Sequence, residues 1–189
     1  MTRIAIIDDD ASERAVLKGL VEESGFEVAG EGENGEEALA ICSATSPDLV
    51  IMDVKMPVMD GIEAAREINR SHPTPVVLLT ATDDPETIRR AVEAGVMAYL
   101  TKPVRLEDLL PAVELAVSRF REFEVLRKEN LDLKKTLEAR KIIEKAKGIL
   151  METQKVSEKE AFTRIRKESM DRRKSMKEIA EEIIISLGE

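Results

Sequence analysis

Four short apolar runs without alternation, at residues 4–7, 49–52, 75–79 and 97–100, constrain this chain more than any other feature. Such a run fits a strand buried on both faces, as in a parallel sheet with helices above and below it. Each run ends in a polar group: Asp8, Asp53, Thr80, and Thr101-Lys102. A weaker strand is expected at residues 26–29. Helical segments fill the intervals. Residues 12–24 carry Ala15, Val16, Leu17, Leu20 and Val21 and stop at Gly25; residues 36–44 follow Asn34-Gly35. The next helix, with Ile62, Ala65 and Ile68, runs from Met59-Asp60-Gly61 to His72-Pro73, and another opens at Asp83-Asp84-Pro85 and closes at Gly95. Strand and helix alternate five times, which favours right-handed crossovers and an α/β, doubly wound parallel five-stranded sheet. In that architecture ligands bind beyond the carboxyl ends of the strands, where Asp8, Asp9, Asp53, Thr80 and Lys102 are expected to converge.

The residue types at that convergence have a definite chemistry. Asp53 alone would suit a turn cap. Three carboxylates a few ångströms apart repel one another unless a cation lies among them, and an all-oxygen site suits Mg2+ rather than zinc. An aspartate is an oxygen nucleophile that can accept a phosphoryl group as an aspartyl phosphate. Lys102 then supplies an ammonium, and Thr80 a hydroxyl, for the transferred oxygens. A purely structural Mg2+ or Ca2+ site is the plainer alternative, and it has no need of the lysine or the hydroxyl.

The net charge of −9 is unevenly distributed. Acidic residues outnumber basic ones about two to one in residues 1–120, and the ratio reverses in residues 140–178. The acidic part cannot attract nucleic acid, whereas the basic part can, although a solvated helix surface has the same composition. Hydrophobic residues make up 43% of the chain, yet no segment approaches the length a membrane helix needs and the N-terminus does not resemble a signal peptide. No membrane partner is expected, and a cytoplasmic location is. The single cysteine, Cys42, falls among apolar helix positions and reads as core filler.

Residues 106 to about 140 contain no glycine, and their one proline, Pro111, lies near a helix start. One long helix is expected. Leu109, Val113, Ala116, Phe120 and Phe123 form a stripe that continues, after a shift of register, as Leu126, Asn130, Leu133 and Leu137. The stripe calls for a partner helix, supplied either by a second chain in a parallel coiled coil or by the protein's own helices. Residues 140–189 read as three helices. Ile142, Ile143, Ala146, Ile149 and Leu150 mark the first, and Ser157-to-Glu160 and Ser175-to-Glu178 capping boxes open the others. Ala161, Phe162, Ile165, Met176, Ile179, Ala180 and Ile183 are the expected core. Lys145, Lys147, Arg166, Arg172, Arg173 and Lys174 are left to the surface as candidate nucleic-acid contacts, acting through phosphates and shape, since stacking on bases is not expected with Phe162 inside.

Residues 1 to about 120 resemble a response-regulator receiver domain through the pair Asp8-Asp9, the segment DVKMPVMDG, the hydroxyl of LLTA and the lysine of YLTKP. The resemblance implies a flavodoxin-like strand order 2-1-3-4-5 and phosphorylation at Asp53. It implies Mg2+ on Asp8, Asp9, Asp53 and the carbonyl of Lys55, a switch pair Thr80 and Tyr99, and a phosphoryl contact from Lys102. It also suggests a cis Lys102-Pro103 peptide and a sensor histidine kinase, or a small phosphodonor, as the source. Residues 140–189 resemble an ANTAR domain through AKGILM, SEKEAF, RIR and IAEEII, with Ser169 where alanine is usual. That resemblance implies binding to RNA hairpins in leader transcripts and transcription antitermination, and the linker stripe, read as a coiled coil, leads to the expectation of a homodimer at least when phosphorylated. Gly148, in mid-helix, suggests a close approach by a packed helix or by RNA. The expected organisation is a receiver at 1–120, a helical linker and possible coiled coil at 121–139, and a three-helix RNA-binding domain at 140–189, with no turnover enzyme. A DNA-binding output and a protein-interaction output are the rivals.

Overall fold

The computed structural model describes residues 1–81 and 84–187 and falls into two compact units, Met1–Glu124 and Val125–Glu189. The first unit holds five parallel strands, β1 (Arg3–Ile7), β2 (Glu27–Gly32), β3 (Leu49–Asp53), β4 (Val76–Thr80) and β5 (Ala98–Thr101), in the order β2-β1-β3-β4-β5. Four helices separate them in the chain: α1 (Ala11–Glu23), α2 (Gly35–Thr45), α3 (Gly61–Ser71) and α4 (Pro85–Glu93). Asp83 lies outside the described residues; Asp84 caps α4 by accepting the Thr87 N–H at 3.0 Å.

Alternation along each strand explains why the runs are apolar throughout. Ala5, Ile7, Val50, Met52, Val76 and Leu78 face the layer of α2, α3 and α4, where they meet Ala38, Cys42, Ile62, Ala65, Ile68 and Ala91. Ile4, Ile6, Leu49, Ile51, Val77 and Leu79 face the other way, against Leu17 and Val21 of α1 and Leu109, Val113 and Ala116 of the helix α5 (Leu106–Gln154). With both faces covered, period two is hidden and only length and β-branching mark the strand. Cys42 is core filler as expected, and burial pushes its thiol up to about 11. Strand β2 runs three residues beyond its expected end, through Gly30 and Gly32. These glycines admit Ile41 of α2, since a Cβ on Gly30 would stand 2.9 Å from Ile41 Cγ2. Val16 departs from the apolar reading of α1 and is exposed.

Helix α5 is continuous to Gln154, so the expected linker helix and the first helix of the C-terminal unit are one element. Its only internal breaker beyond Pro111 is Gly148, which costs about 1 kcal/mol relative to alanine and is too weak to end a helix. A Cβ on Gly148 would meet nothing within 4 Å, so close helix packing is not what the glycine provides. Leu126, Asn130, Leu131, Leu133 and Leu137 are all exposed along α5, so no described side chain of the second unit covers that stripe.

Helices α6 (Glu158–Arg172) and α7 (Met176–Leu187) complete the second unit. Both capping boxes form. Ser157 and Glu160 exchange hydrogen bonds at 2.9 and 3.3 Å, and Ser175 and Glu178 at 2.8 and 3.2 Å. Ala146, Leu150, Ala161, Ile165, Ile179 and Ala180 form the core. Phe162 does not join them: it is 42% exposed, because it lies one position beyond Ala161 on a helix whose inward stripe passes through Ala161 and Ile165. The Ser169 hydroxyl donates to the Lys174 carbonyl at 2.6 Å, so the serine tightens the α6–α7 turn without disturbing the core.

Candidate functional site

The carboxyl ends of β1, β3, β4 and β5 bring Asp8, Asp53, Thr80 and Lys102 to one edge of the sheet. Asp8 and Asp53 are buried, 1% and 7% exposed, an unusual state for carboxylates that demands partners. Asp8 Oδ1 accepts the Asp10 N–H at 3.0 Å and Asp53 Oδ2 accepts the Lys55 N–H at 2.8 Å. Lys102 Nζ lies 2.8 Å from both Asp8 Oδ2 and Asp53 Oδ1, and reaches Glu13 Oε2 as well. Its three N–H donors are therefore all engaged. The Lys102 N–H donates to the Thr80 carbonyl at 2.8 Å, and the following Lys102-Pro103 peptide is cis, as expected.

The loop after Asp53 is equally determined. The Gly61 N–H donates to the Val54 carbonyl at 2.9 Å, and Asp60 caps α3 by accepting the Glu63 N–H at 2.7 Å. A Cβ on Gly61 would stand 2.1 Å from the Asp53 carbonyl oxygen, so only glycine lets α3 begin against the end of β3.

Burial pushes the Asp53 carboxyl above the ordinary carboxylate range; the Lys102 ammonium and the Lys55 N–H oppose the rise without cancelling it, and the Asp8 charge adds to it. For Lys102, burial disfavours the ammonium, but hydrogen bonds to Asp53, Asp8 and Glu13 outweigh it and raise its pKa. Three carboxylates against one ammonium leave the site net negative, and its donors are all oxygens. Both properties fit a hard divalent cation.

Asp9 corrects the expected convergence. It is exposed, away from the carboxylates that meet at Lys102. The reason is local: Asp8 points inward, fixed by the Asp10 N–H, and its neighbour points outward. Glu13 takes the third place beside Lys102 instead, from the first turn of α1. Sequence reasoning missed it, and its one signal was an acid four positions past Asp9 on a helix opening toward the same edge. Thr80 is buried at the end of β4, whereas Tyr99, on edge strand β5, is 45% exposed. A groove of about 430 Å3 opens beside Lys102, lined in part by Val16, Pro103 and Val104.

In the second unit the basic candidates divide. Lys147 is not at the surface: it is 6% exposed and its ammonium donates to Glu144 at 2.8 Å and Glu158 at 2.7 Å, which raises its pKa. The aliphatic stem covers the core while two carboxylates hold the head. Arg172 and Lys174 are exposed but both pair with Glu182, at 2.5 and 2.6 Å. Lys145, Arg166 and Arg173 are exposed and form no ion pair with a described residue.

Sequence comparison now defines the class. Residues 4–114 match the response regulator receiver domain and residues 131–184 match the ANTAR domain. The chain belongs to the response regulators, as a phosphorylation-controlled regulator with an ANTAR RNA-binding output. Among individual relatives, the transcriptional regulatory protein PdtaR of Mycobacterium tuberculosis is 46% identical over 186 residues, covering 98% of this chain and 91% of that protein. A protein-glutamate methylesterase/protein-glutamine glutaminase of Hahella chejuensis is 42% identical over 103 residues, only 53% of this chain and 30% of its own length. Of solved structures, the receiver domain of a modulated diguanylate cyclase from Desulfovibrio desulfuricans superposes with a TM-score of 0.60 at 29% identity, over 64% of this chain and 97% of that one. The receiver domain of the putative response regulator NarL from Mycobacterium tuberculosis gives 0.59 at 29% identity, over 62% and 96%. No helix among the described residues is long and apolar enough to cross a membrane.

Proposed function

We propose that the chain accepts a phosphoryl group at Asp53 from a sensor histidine kinase and in that state binds hairpins in leader transcripts, preventing transcription termination. The observation that carries the first half is one ammonium, Lys102, placed 2.8 Å from both buried carboxylates at the ends of neighbouring strands. In the transfer, an Asp53 carboxylate oxygen forms the new P–O bond as the P–N bond to the kinase histidine breaks, and the electron pair leaves on the imidazole nitrogen. Lys102 exchanges its hydrogen bond to Asp53 for one to a phosphoryl oxygen, and Lys55 N–H continues to orient the carboxyl. Asp8, Asp53 and the Lys55 carbonyl, joined by Asp9 once its exposed side chain turns toward them, would hold Mg2+, which when bound supplies positive charge beside the transferred oxygens. Thr80 then turns toward the phosphoryl group and the Tyr99 ring, now exposed, moves into the space released.

The second half rests on the ANTAR match together with the cations of the second unit that no acid holds. Exposed Leu126, Leu133 and Leu137 on α5 support pairing of two chains around Asn130, which would set two RNA-binding units side by side and raise affinity for a transcript with two hairpins through effective concentration. Labelling from a phosphodonor followed by selection of bound RNA tests the whole reading. Wild type is expected to take label and retain hairpins, and Asp53→Asn to do neither. Label persisting in Asp53→Asn would move the acceptor elsewhere, and retention of duplex DNA in preference to RNA would replace the output.

A further inference from the structure

Helix α6 has two exposed flanks of different chemistry. One carries Glu160, Arg164, Lys167 and Asp171 at i, i+4, i+7 and i+11, two acids and two bases, so the flank is close to neutral. The other carries Lys159, Phe162, Arg166 and Met170, with Arg173 just past the helix end, and has no acid at all. Phe162 is 42% exposed and Met170 69% exposed. None of Lys159, Arg166 and Arg173 forms an ion pair with a described residue, whereas Lys147, Arg172 and Lys174 are all held by glutamates. Three uncommitted cations around an exposed ring and a thioether do not describe a solvated helix face.

We infer that this flank is the surface that takes unpaired nucleotides of an RNA loop, with Phe162 stacking on a base and Arg166, Arg173 and Lys159 holding phosphates. The inference rests on the RNA-binding reading and adds to it the element, the flank and the state of the RNA. An aromatic ring gains from a base only when the base is free to leave its own stack, so a loop is favoured over a paired stem. Positive charge without a competing acid excludes a basic partner, and the ring distinguishes RNA from an acidic peptide, which needs none. Cations already neutralised by Glu182 or by Glu144 and Glu158 lie outside the surface.

The test uses the full-length phosphorylated protein and two probes: labelled RNA hairpins with a fixed stem and a randomised loop, and the same stem as a blunt duplex. Wild type is expected to retain the hairpins and not the duplex. Phe162→Ala and Phe162→Leu should each weaken hairpin binding by about 5- to 100-fold, with Phe162→Trp restoring it. The leucine keeps the apolar contact, so its loss of affinity separates stacking from folding. Arg166→Ala should lower the slope of log affinity against log salt by about 0.7, and Lys167→Ala, the same change of charge on the other flank, should leave it unchanged. Hairpin affinity unaltered in Phe162→Leu, or equal losses in Arg166→Ala and Lys167→Ala, would overturn the assignment while leaving RNA binding itself intact. Wild-type protein that ignores the hairpins and binds poly-glutamate would overturn the RNA reading, and this surface with it.

Discussion

Replacing Gly61 by alanine tests the phosphoryl site through its backbone. The added Cβ would stand 2.1 Å from the Asp53 carbonyl oxygen and 3.0 Å from its carbonyl carbon, with Leu78 Cδ2 at 3.2 Å. The first distance lies far inside any contact a real Cβ makes, and the obstacle is main chain, which cannot rotate away. Either α3 slides back from the sheet, breaking the 2.9 Å Gly61-to-Val54 hydrogen bond, or the end of β3 moves by roughly 1 Å. Overpacking of this kind costs about 3 kcal/mol, which in a unit of this size lowers its melting temperature by about 10 °C. Displacement of the Asp53 carboxyl by the same movement should slow phosphorylation by about 100-fold. Tyr99 is the only tyrosine and there is no tryptophan, so tyrosine fluorescence follows unfolding of the first unit alone. An alanine variant with the wild-type midpoint and the wild-type labelling rate would refute the argument, since no accommodation can leave both untouched.

The same substitution at Gly148 should act with the opposite sign, because a Cβ there meets nothing within 4 Å and the helix interior gains about 1 kcal/mol from alanine; denaturation followed by circular dichroism checks it, and a loss of stability would mean a neighbour at that face. Lys147→Met should destabilise the second unit at neutral pH. The folded-state pKa of Lys147 is raised above its ordinary 10.5, so this contribution is fully present below that value and is lost as pH rises through the folded pKa, and the gap between variant and wild type should close in alkali. A gap that persists there would assign the effect to packing of the stem. Leu133→Glu puts a charge on the exposed α5 stripe and should abolish the pairing of two chains proposed above, read by sedimentation of the phosphorylated protein, without altering Asp53 labelling; a variant that pairs as the wild type does would place the interface elsewhere.

The sequence by itself determined the parts whose causes are local. Four apolar runs ending in polar groups were enough for the sheet, because a strand covered on both faces has no choice but to be apolar throughout. The caps of α6 and α7 were legible because each needs only residues three apart, and Asp8, Asp53, Thr80 and Lys102 were legible because strand ends fix them within a residue. The ANTAR resemblance likewise lay in contiguous segments, and the family match bears it out.

Tertiary structure decided what depends on a second element. Whether Asp9 or Glu13 stands beside Lys102 is a matter of how α1 leaves β1, and β2 runs on through Gly30, where Ile41 of α2 occupies the space a side chain would need. Lys147 looked like a surface cation until α6 brought Glu158 to within 2.7 Å of it. Phe162 looked like core until the three helices closed on Ala161 and Ile165 and left the ring outside. Periodicity tells which positions share a side of a helix, but which of those sides is covered, and which charge is already answered by another, is set by elements far away in the chain.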